Sequence, residues 1–521
     1  MAVRDNVFRG PQSVAQYFDP ESNPPLPLVE IPDRLNPFRK DGVRIYAKML
    51  TCLPAQNVKS LPGSALHMLR MEPRAQSRKI AEASSGSTIL SLGIIARVLW
   101  GNENIEAHVT NKKSMESLNL LRFFGIRPCL FAGLAQQEPT DPTGIMARLR
   151  RRTKECDDMV YLGQYDNDDN WKAHAAWTGP QILRQLPETN VFCTTVGTGG
   201  CITGTGVYLK AQKPSIRVLG VFNVAGDPTP GPRYYDGFQS SSFPWQETID
   251  SRVEVSSASA YRMSMRLSRE GIICGPSSGE ALQGLLQYLT DLKRSGKLGD
   301  LVDQETNEIS CVFTCSDLPY QYLSTYFEKL GTDEFPTIEN EVTKHDLRWI
   351  LDSDKALELL NATPDHELDK ACIVESSLLS LSSSEDSLEN PVGQHIRRGP
   401  TPSTLVIDLR SRNDFDTQHI PRSLSVPLPG LYPGLAGGDL FGDAEAVHMI
   451  WTAMQKWLLG TELSQSLFDA IRDQRPVLVL CYDGFTSQLG CSAIRKMGLE
   501  AFTVRGGFQA LWLQTRKEEK V

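Results

Sequence analysis

The chain has 521 residues, 40% of them hydrophobic and 22% charged, with a formal net charge of −8. That length implies roughly two to four domains with sizeable cores. Nothing in the mildly acidic balance favours nucleic acid, which calls for a clustered basic face; the longest basic run, residues 148–152, reads as an exposed helix face.

The first twenty residues mix Arg4 and Arg9 with Asp5 and Asp19 and hold no apolar core, so no secretory signal is expected. Residues 1–40 are rich in proline and polar groups (Asn23-Pro24-Pro25-Leu26-Pro27). They read as an extended arm that packs on the surface or on a partner subunit. A strand is expected over 43–49. Strand-like stretches at 105–109, 128–131, 191–196 and 217–222 then alternate with helix-like ones at 89–99, 113–123, 179–185 and 280–292, and a late strand falls at 311–314. Such alternation predicts an α/β domain with a largely parallel sheet over about 41–342. The apolar run 89–100 is too short to span a bilayer and contains Arg97. A helical stretch at 343–360 leads into a serine-rich, low-complexity segment at 375–391, so 343–400 reads as helix and linker. A second unit is expected over 401–516, opening with a strand at 405–409. The eleven cysteines show no C-x-x-C spacing, which suggests no metal site and free thiols in a reducing compartment. The expected setting is cytoplasmic, with a mitochondrial address left open and no membrane partner.

Five stretches carry chemistry. Asn57-Val58-Lys59-Ser60-Leu61-Pro62-Gly63 holds a lysine between a turn and an apolar helix start (Ala65, Leu66, Met68, Leu69). Glu82-Ala83-Ser84-Ser85-Gly86-Ser87-Thr88 precedes a helix, and its hydroxyls and amides suit a carboxylate. Gly197-Thr198-Gly199-Gly200-Cys201 follows a buried strand and opens a helix, an arrangement that holds a phosphate on backbone amides. It is neither a Walker loop nor a dinucleotide fingerprint. The others are Cys274-Gly275-Pro276-Ser277-Ser278-Gly279 and the polar, aromatic run from Asn167 to Pro180.

In their order along the chain, the motifs resemble the cysteine synthase/cystathionine β-synthase family, fold type II pyridoxal-phosphate enzymes built from two α/β subdomains. The resemblance covers about residues 35–330. It implies that Lys59 forms the Schiff base with pyridoxal 5'-phosphate and later moves the α-proton. It implies that Gly197, Thr198, Gly199, Gly200 and Cys201 cradle the phosphate and that Ser277 meets the pyridine nitrogen. Ser84, Ser85, Gly86, Thr88 and Gln164 would hold the substrate carboxylate, and Ser87 the cofactor hydroxyl. Three positions depart from the family pattern: Ser87 replaces asparagine, Ser60-Leu61-Pro62 follows the lysine, and Cys201 stands where threonine is common. The implied reaction is at the β-carbon of a cysteine or O-acetylserine type of substrate, either replacement by sulfide or elimination that releases it. The alternative is a degenerate scaffold acting as a sulfur carrier or regulatory binder. A homodimer is implied by analogy.

Toward the C-terminus, Asp408-Leu409-Arg410, His419-Ile420-Pro421, Cys481-Tyr482-Asp483-Gly484-Phe485-Thr486 and Gly506-Gly507-Phe508 resemble a rhodanese domain. Cys481 would carry a persulfide, exposed and with its pKa lowered by loop amides. Asp483 opposes this electrostatically, leaving both an active sulfurtransferase and a degenerate module open. Asp408 and Arg410 read as a structural ion pair, and His419 as a scaffold residue.

Overall fold

The computed structural model describes residues 7–61, 65–84, 86–132, 138–238, 241–339, 346–361, 404–428, 444–458 and 461–518. The chain divides into two compact units, 1–335 and 336–521.

The first unit contains two sheets. Its strands are β1 (Leu28–Glu30), β2 (Val43–Met49), β3 (Lys79–Glu82), β4 (Ile105–Thr110), β5 (Arg127–Phe131), β6 (Met159–Tyr161), β7 (Thr189–Thr195), β8 (Arg217–Asn223), β9 (Ser251–Val255) and β10 (Ile309–Cys315). The larger sheet runs β1-β2-β10-β7-β8-β9, parallel except for β1, and the smaller runs β5-β4-β3-β6, all parallel. Central strands of such sheets are covered on both faces, which is why they read as continuous apolar runs. Along β7, Val191 and Cys193 enter the core beneath the helix Pro276–Arg294, while Phe192 enters the opposite core with Ile202 and Leu209 of the helix Gly200–Gln212. A third core, with Leu66, Ile89 and Leu92, lies under the smaller sheet.

The N-terminal arm is part of this unit. Its helix Ser13–Phe18 buries Phe18 in the smaller sheet's core, β1 pairs with β2, and Ile31, Leu35 and Phe38 join the larger core. Lys48 secures it from inside, donating to the carbonyl of Leu26 at 2.9 Å and to the side chains of Gln181 and Gln185 at 2.8 and 2.6 Å.

Short strands escape sequence reading. β3 and β6 have four and three residues, and β9 alternates exposed and half-buried positions at a sheet edge.

The second unit is a five-stranded parallel sheet. Its strands are β11 (Ile350–Leu351), β12 (Leu405–Asp408), β13 (Leu424–Ser425), β14 (Val477–Leu480) and β15 (Ala501–Val504), in the order β11-β15-β14-β12-β13. The stretch expected to be helix and linker from 343 is here partly structural. β11 pairs with β15, and the helix Ser353–Asn361 buries Ala356 and Leu357 beside Phe508 and Leu511. The low-complexity segment at 375–391 lies outside the described residues.

One packing constraint is strict. The helix Gly200–Gln212 meets the helix that runs through Asp169–Ala173 and a widened, π-helical turn at His174–Thr178. A Cβ on Gly204 would strike the carbonyl oxygen of Trp171 and sit 2.8 Å from the amide of Ala175. Backbone cannot yield as a side chain can, so Gly204→Ala is expected to lower stability by roughly 1–3 kcal/mol in urea unfolding.

Candidate active site and the C-terminal cysteine loop

The carboxyl ends of β3, β4, β5, β7 and β10 converge on one cavity of about 750 Å³. Open parallel sheets place their ligand crevices at this end. Lys59 enters the cavity from the 3₁₀ turn Val58–Ser60. Asn57 caps that turn, its side-chain oxygen accepting from the Lys59 amide at 2.9 Å and from Ser91 Oγ at 3.0 Å. The amide of Val58 donates to the Ser316 carbonyl at 2.7 Å. The unusual sequel to the lysine has a structural role: Ser60 Oγ donates to the Asn57 carbonyl, and Leu61 is buried beside Leu50, Leu53 and Trp177. Pro62 and Gly63 lie outside the described residues.

Lys59 Nζ donates to Thr198 Oγ1 at 2.9 Å. Burial pushes its pKa down from 10.5 to about 8, with the neighbouring Cys201 opposing weakly. Burial pushes the Cys201 thiol up to about 11, so this departure places a neutral group in the loop. Thr198 also accepts from Asn170 Nδ2 at 3.2 Å, and Asn170 donates to the Gln164 carbonyl at 2.6 Å. His174 sits buried nearby, pushed down to about 3 by burial and by Lys59, and is therefore neutral.

Gly197, Thr198, Gly199 and Cys201 line the cavity. Gly199 has φ +86°, and no side chain caps the helix that begins at Gly200, so its first-turn amides are free to meet an anion. Gly197 leaves room where a Cβ would stand 2.7 Å from the Gly231 carbonyl. Gly200 is not on the wall; it packs against Asn170, whose Oδ1 would be 2.7 Å from a Cβ there. Ser277, in the first turn of Pro276–Arg294, lines the cavity opposite Gly231.

Ser84, Gly86, Ser87, Thr88 and Gln164 line another wall; Ser85 lies outside the described residues. Ser84 Oγ accepts from the Gly86 amide at 3.3 Å. Thr88 Oγ1 donates to Gln164 Oε1 at 2.6 Å, while Gln164 Nε2 donates to the Ala83 carbonyl at 3.0 Å. Sequence reading did not single out Asn57 or Asn170 individually, and it missed the lining groups Arg233 and Lys113. Arg233 donates to Tyr165 OH at 3.0 Å. Asp317, on the same wall as Tyr322, has its carboxyl raised to about 6 by burial and accepts from Tyr322 OH at 2.6 Å. The Asn167–Pro180 run, dense in polar groups, and the tail Ser316-Asp317 followed by Tyr322-Leu323-Ser324-Thr325, which also fits the family resemblance, signalled part of this.

The spacing of cysteines suggested no metal pair. The structure does bring Glu106, His108 and Cys129 together on β4 and β5, with ligand atoms within 4.8 Å. Lys79 and Arg127 already neutralise Glu106 at 3.2 and 3.5 Å. The described cysteines are all free.

In the second unit, Cys481 follows β14 at the head of the helix Thr486–Lys496. Its sulfur accepts from the amides of Gly484 at 3.1 Å and Ser487 at 3.3 Å, as expected of the loop. The expectation of an exposed thiol with a lowered pKa is corrected. Cys481 is buried, and burial raises its pKa above the amide and hydroxyl contributions of Ser487, with Asp483 raising it further. Gly507, at φ +63°, lets the Gly506-Gly507 turn press on this loop, and the Phe508 amide donates to the Cys481 carbonyl at 2.8 Å. Asp408 and Arg410 form the buried ion pair at 2.7 Å, and His419 Nδ1 lies 3.0 Å from the Phe415 carbonyl oxygen.

An amine that gives up its proton readily beside an anion cradle is what an enzyme needs to hold a phosphorylated carbonyl cofactor, and the glycine cradle, the half-buried lysine and the neutral Ser277 fit pyridoxal phosphate. A family model described as pyridoxal-phosphate dependent enzyme matches residues 22–300, and one described as a rhodanese-like domain matches 390–514. A cysteine synthase of Aquifex aeolicus is 30% identical over 283 residues, covering 53% of this chain and 84% of its own. An N-(2-amino-2-carboxyethyl)-L-glutamate synthase of Cupriavidus metallidurans is 29% identical, covering 50% and 78%. The solved O-acetyl serine sulfhydrylase isoform 3 from Entamoeba histolytica is 23% identical, covers 63% of this chain and 94% of its own, and has a TM-score of 0.48. The chain belongs to the family of pyridoxal-phosphate dependent enzymes and carries a rhodanese-like domain in its C-terminal unit. Among the described residues, no helix is long and apolar enough to cross a membrane.

Between pH 8 and 10.5 an unfolded lysine keeps a proton that half-buried Lys59 has lost, so the cofactor-free protein should gain stability as pH rises through that window. Urea unfolding of the cofactor-free wild type and Lys59→Met across that range should show the gain reduced in the variant. At Cys481, Asp483→Asn removes a charge that disfavours the thiolate, so alkylation by iodoacetamide at pH 8, followed by peptide mass spectrometry, should be several-fold faster than in wild type.

Proposed function

We propose that the N-terminal unit catalyses replacement at the β-carbon of an O-acetylserine type of amino acid, with elimination from cysteine as the companion reaction. The observation that carries this is Lys59, whose pKa is lowered to about 8 and whose amine is hydrogen-bonded to Thr198 of the anion cradle. Bound pyridoxal phosphate supplies the electron sink for the substrate's α-carbon. Lys59, with a pKa of about 8, can take the α-proton near neutral pH and give it back. Ser84, Thr88 and Gln164 orient the carboxylate, with Ser85 and Gly86 in the same loop. Ser277 offers a neutral hydroxyl to the ring nitrogen; the weak electron draw suits a β-substituent that leaves directly after proton loss. The synthase activities in the names of both curated relatives support replacement as the main reaction.

The C-terminal unit is the sulfur-handling partner, with Cys481 accepting a sulfane sulfur. A cytoplasmic homodimer is the assembly assigned here, on the family resemblance. Incubation with O-acetylserine and sulfide should yield cysteine, and incubation with cysteine alone should yield sulfide, pyruvate and ammonia more slowly. Both should vanish in Lys59→Ala. Product formation that survives this substitution would sink the reading.

A further inference from the structure

Glu106, His108 and Cys129 form a cluster that the reaction at Lys59 does not use. The pleat of the smaller sheet brings them together. Ala107 and Val109 of β4 enter the core beneath that sheet, so Glu106 and His108 share its opposite face. Cys129 of the edge strand β5 pairs in register with His108 and projects from the same face. Glu106 is buried, the other two are half-buried, and the ligand atoms of all three lie within 4.8 Å of one another.

Their hydrogen bonding leaves these atoms available. Lys79 and Arg127 both approach Oε1 of Glu106, at 3.2 and 3.5 Å. Oε2 is turned toward His108 instead, 3.6 Å from Nε2, which is beyond hydrogen-bond reach. That Nε2 is buried and has no hydrogen-bond partner among the described residues. The Cys129 sulfur makes only a weak 4.0 Å contact with the Arg127 carbonyl oxygen. A buried nitrogen without a partner is one that a ligand can satisfy.

The donor set selects the ligand. Thiolate and imidazole suit zinc, whereas calcium and magnesium want a shell of oxygens, and the two cations on Oε1 would repel an ion held by charge alone. Ligand atoms around tetrahedral zinc stand roughly 3.3–3.7 Å apart, given its usual bond lengths. Oε2 and Nε2 already do, and the sulfur can close the remaining gap by a side-chain rotation. We propose that Glu106, His108 and Cys129 form a three-ligand zinc site at the edge of the smaller sheet. Lys79 and Arg127 are then the outer partners that fix the carboxylate. The ion's fourth position is left for water or a sulfur anion. On binding, the Cys129 thiol gives its proton to solvent, and nothing is oxidised or reduced. His108 also lines the cavity, so the ion would adjoin the active site without holding the cofactor. The site does not depend on the β-replacement reading.

The full chain, loaded with pyridoxal phosphate, is stripped of metal with a chelator, desalted and titrated with zinc against a fluorescent zinc chelator. One equivalent should bind, with an affinity that falls at least about a hundred-fold in Cys129→Ser and in His108→Ala, the upper end of what loss of an outer partner costs. Cys156→Ser, which removes an exposed thiol outside the cluster, should bind as the wild type does. Cobalt(II) in place of zinc should give a sulfur-to-cobalt charge-transfer band that Cys156→Ser keeps and Cys129→Ser lacks. A further measurement needs no variant: zinc should protect Cys129 of the wild type from iodoacetamide, read by peptide mass spectrometry. Absence of stoichiometric binding, binding or a cobalt band that survives Cys129→Ser, or alkylation of Cys129 at the same rate with and without zinc overturns the proposal.

Discussion

The structure depends on how readily one amine gives up its proton. Lys59 is half-buried at the meeting of the two sheets, and desolvation there favours the form that can act as a nucleophile and a base. Its hydrogen-bond acceptor, Thr198, also binds Asn170, so one hydroxyl links the lysine, the phosphate loop and the 169–178 helix. Asn57 plays the matching part on the main-chain side, fixing the turn from which the side chain extends. The lysine is therefore positioned by three chain segments far apart in sequence, which is what pre-organisation requires.

The same physical effect has opposite consequences for reactivity in the two units. Burial lowers the pKa of Lys59, and the neutral amine it favours is the reactive form. Burial also disfavours the thiolate of Cys481, and there the discharged thiol is the unreactive form. The amides of Gly484 and Ser487 provide the usual anion-stabilising geometry around the sulfur, but Asp483 and the loss of solvent oppose it. Reactivity at Cys481 is thus set by what can enter and neutralise that loop, whereas Lys59 is close to its working state already.

Much of the first site was legible because its parts are local. A glycine loop after a buried strand, a hydroxyl-rich loop before a helix and a serine in a helix's first turn each occupy a few consecutive residues, and all face one cavity. The two-sheet division was not visible from alternation alone, since β3 and β6 are too short to register and β3 is charged at both ends. Lys113 gave no signal either; a lysine ahead of a helix is ordinary until the fold turns it toward the site. The arm was expected to be peripheral, but Phe18, Ile31 and Phe38 are core residues, spaced too irregularly among prolines to show a period. For Cys481 the loop pattern was read correctly and the burial was not, because depth below the surface depends on segments packed from elsewhere, such as Gly507.

The glycine stripe on the helix Gly200–Gln212 has an evolutionary consequence. Gly200 and Gly204 are pressed against Asn170 and the Trp171 backbone, so this side of the cavity admits almost no change without a shift of main chain. Sequence drift in a descendant of this chain is pushed toward the opposite side, where residues such as Lys113 and Ser114 line the cavity with room around them. New substrates would then arise by substitution on the smaller sheet's wall, while the chemistry at Lys59 stays fixed by packing.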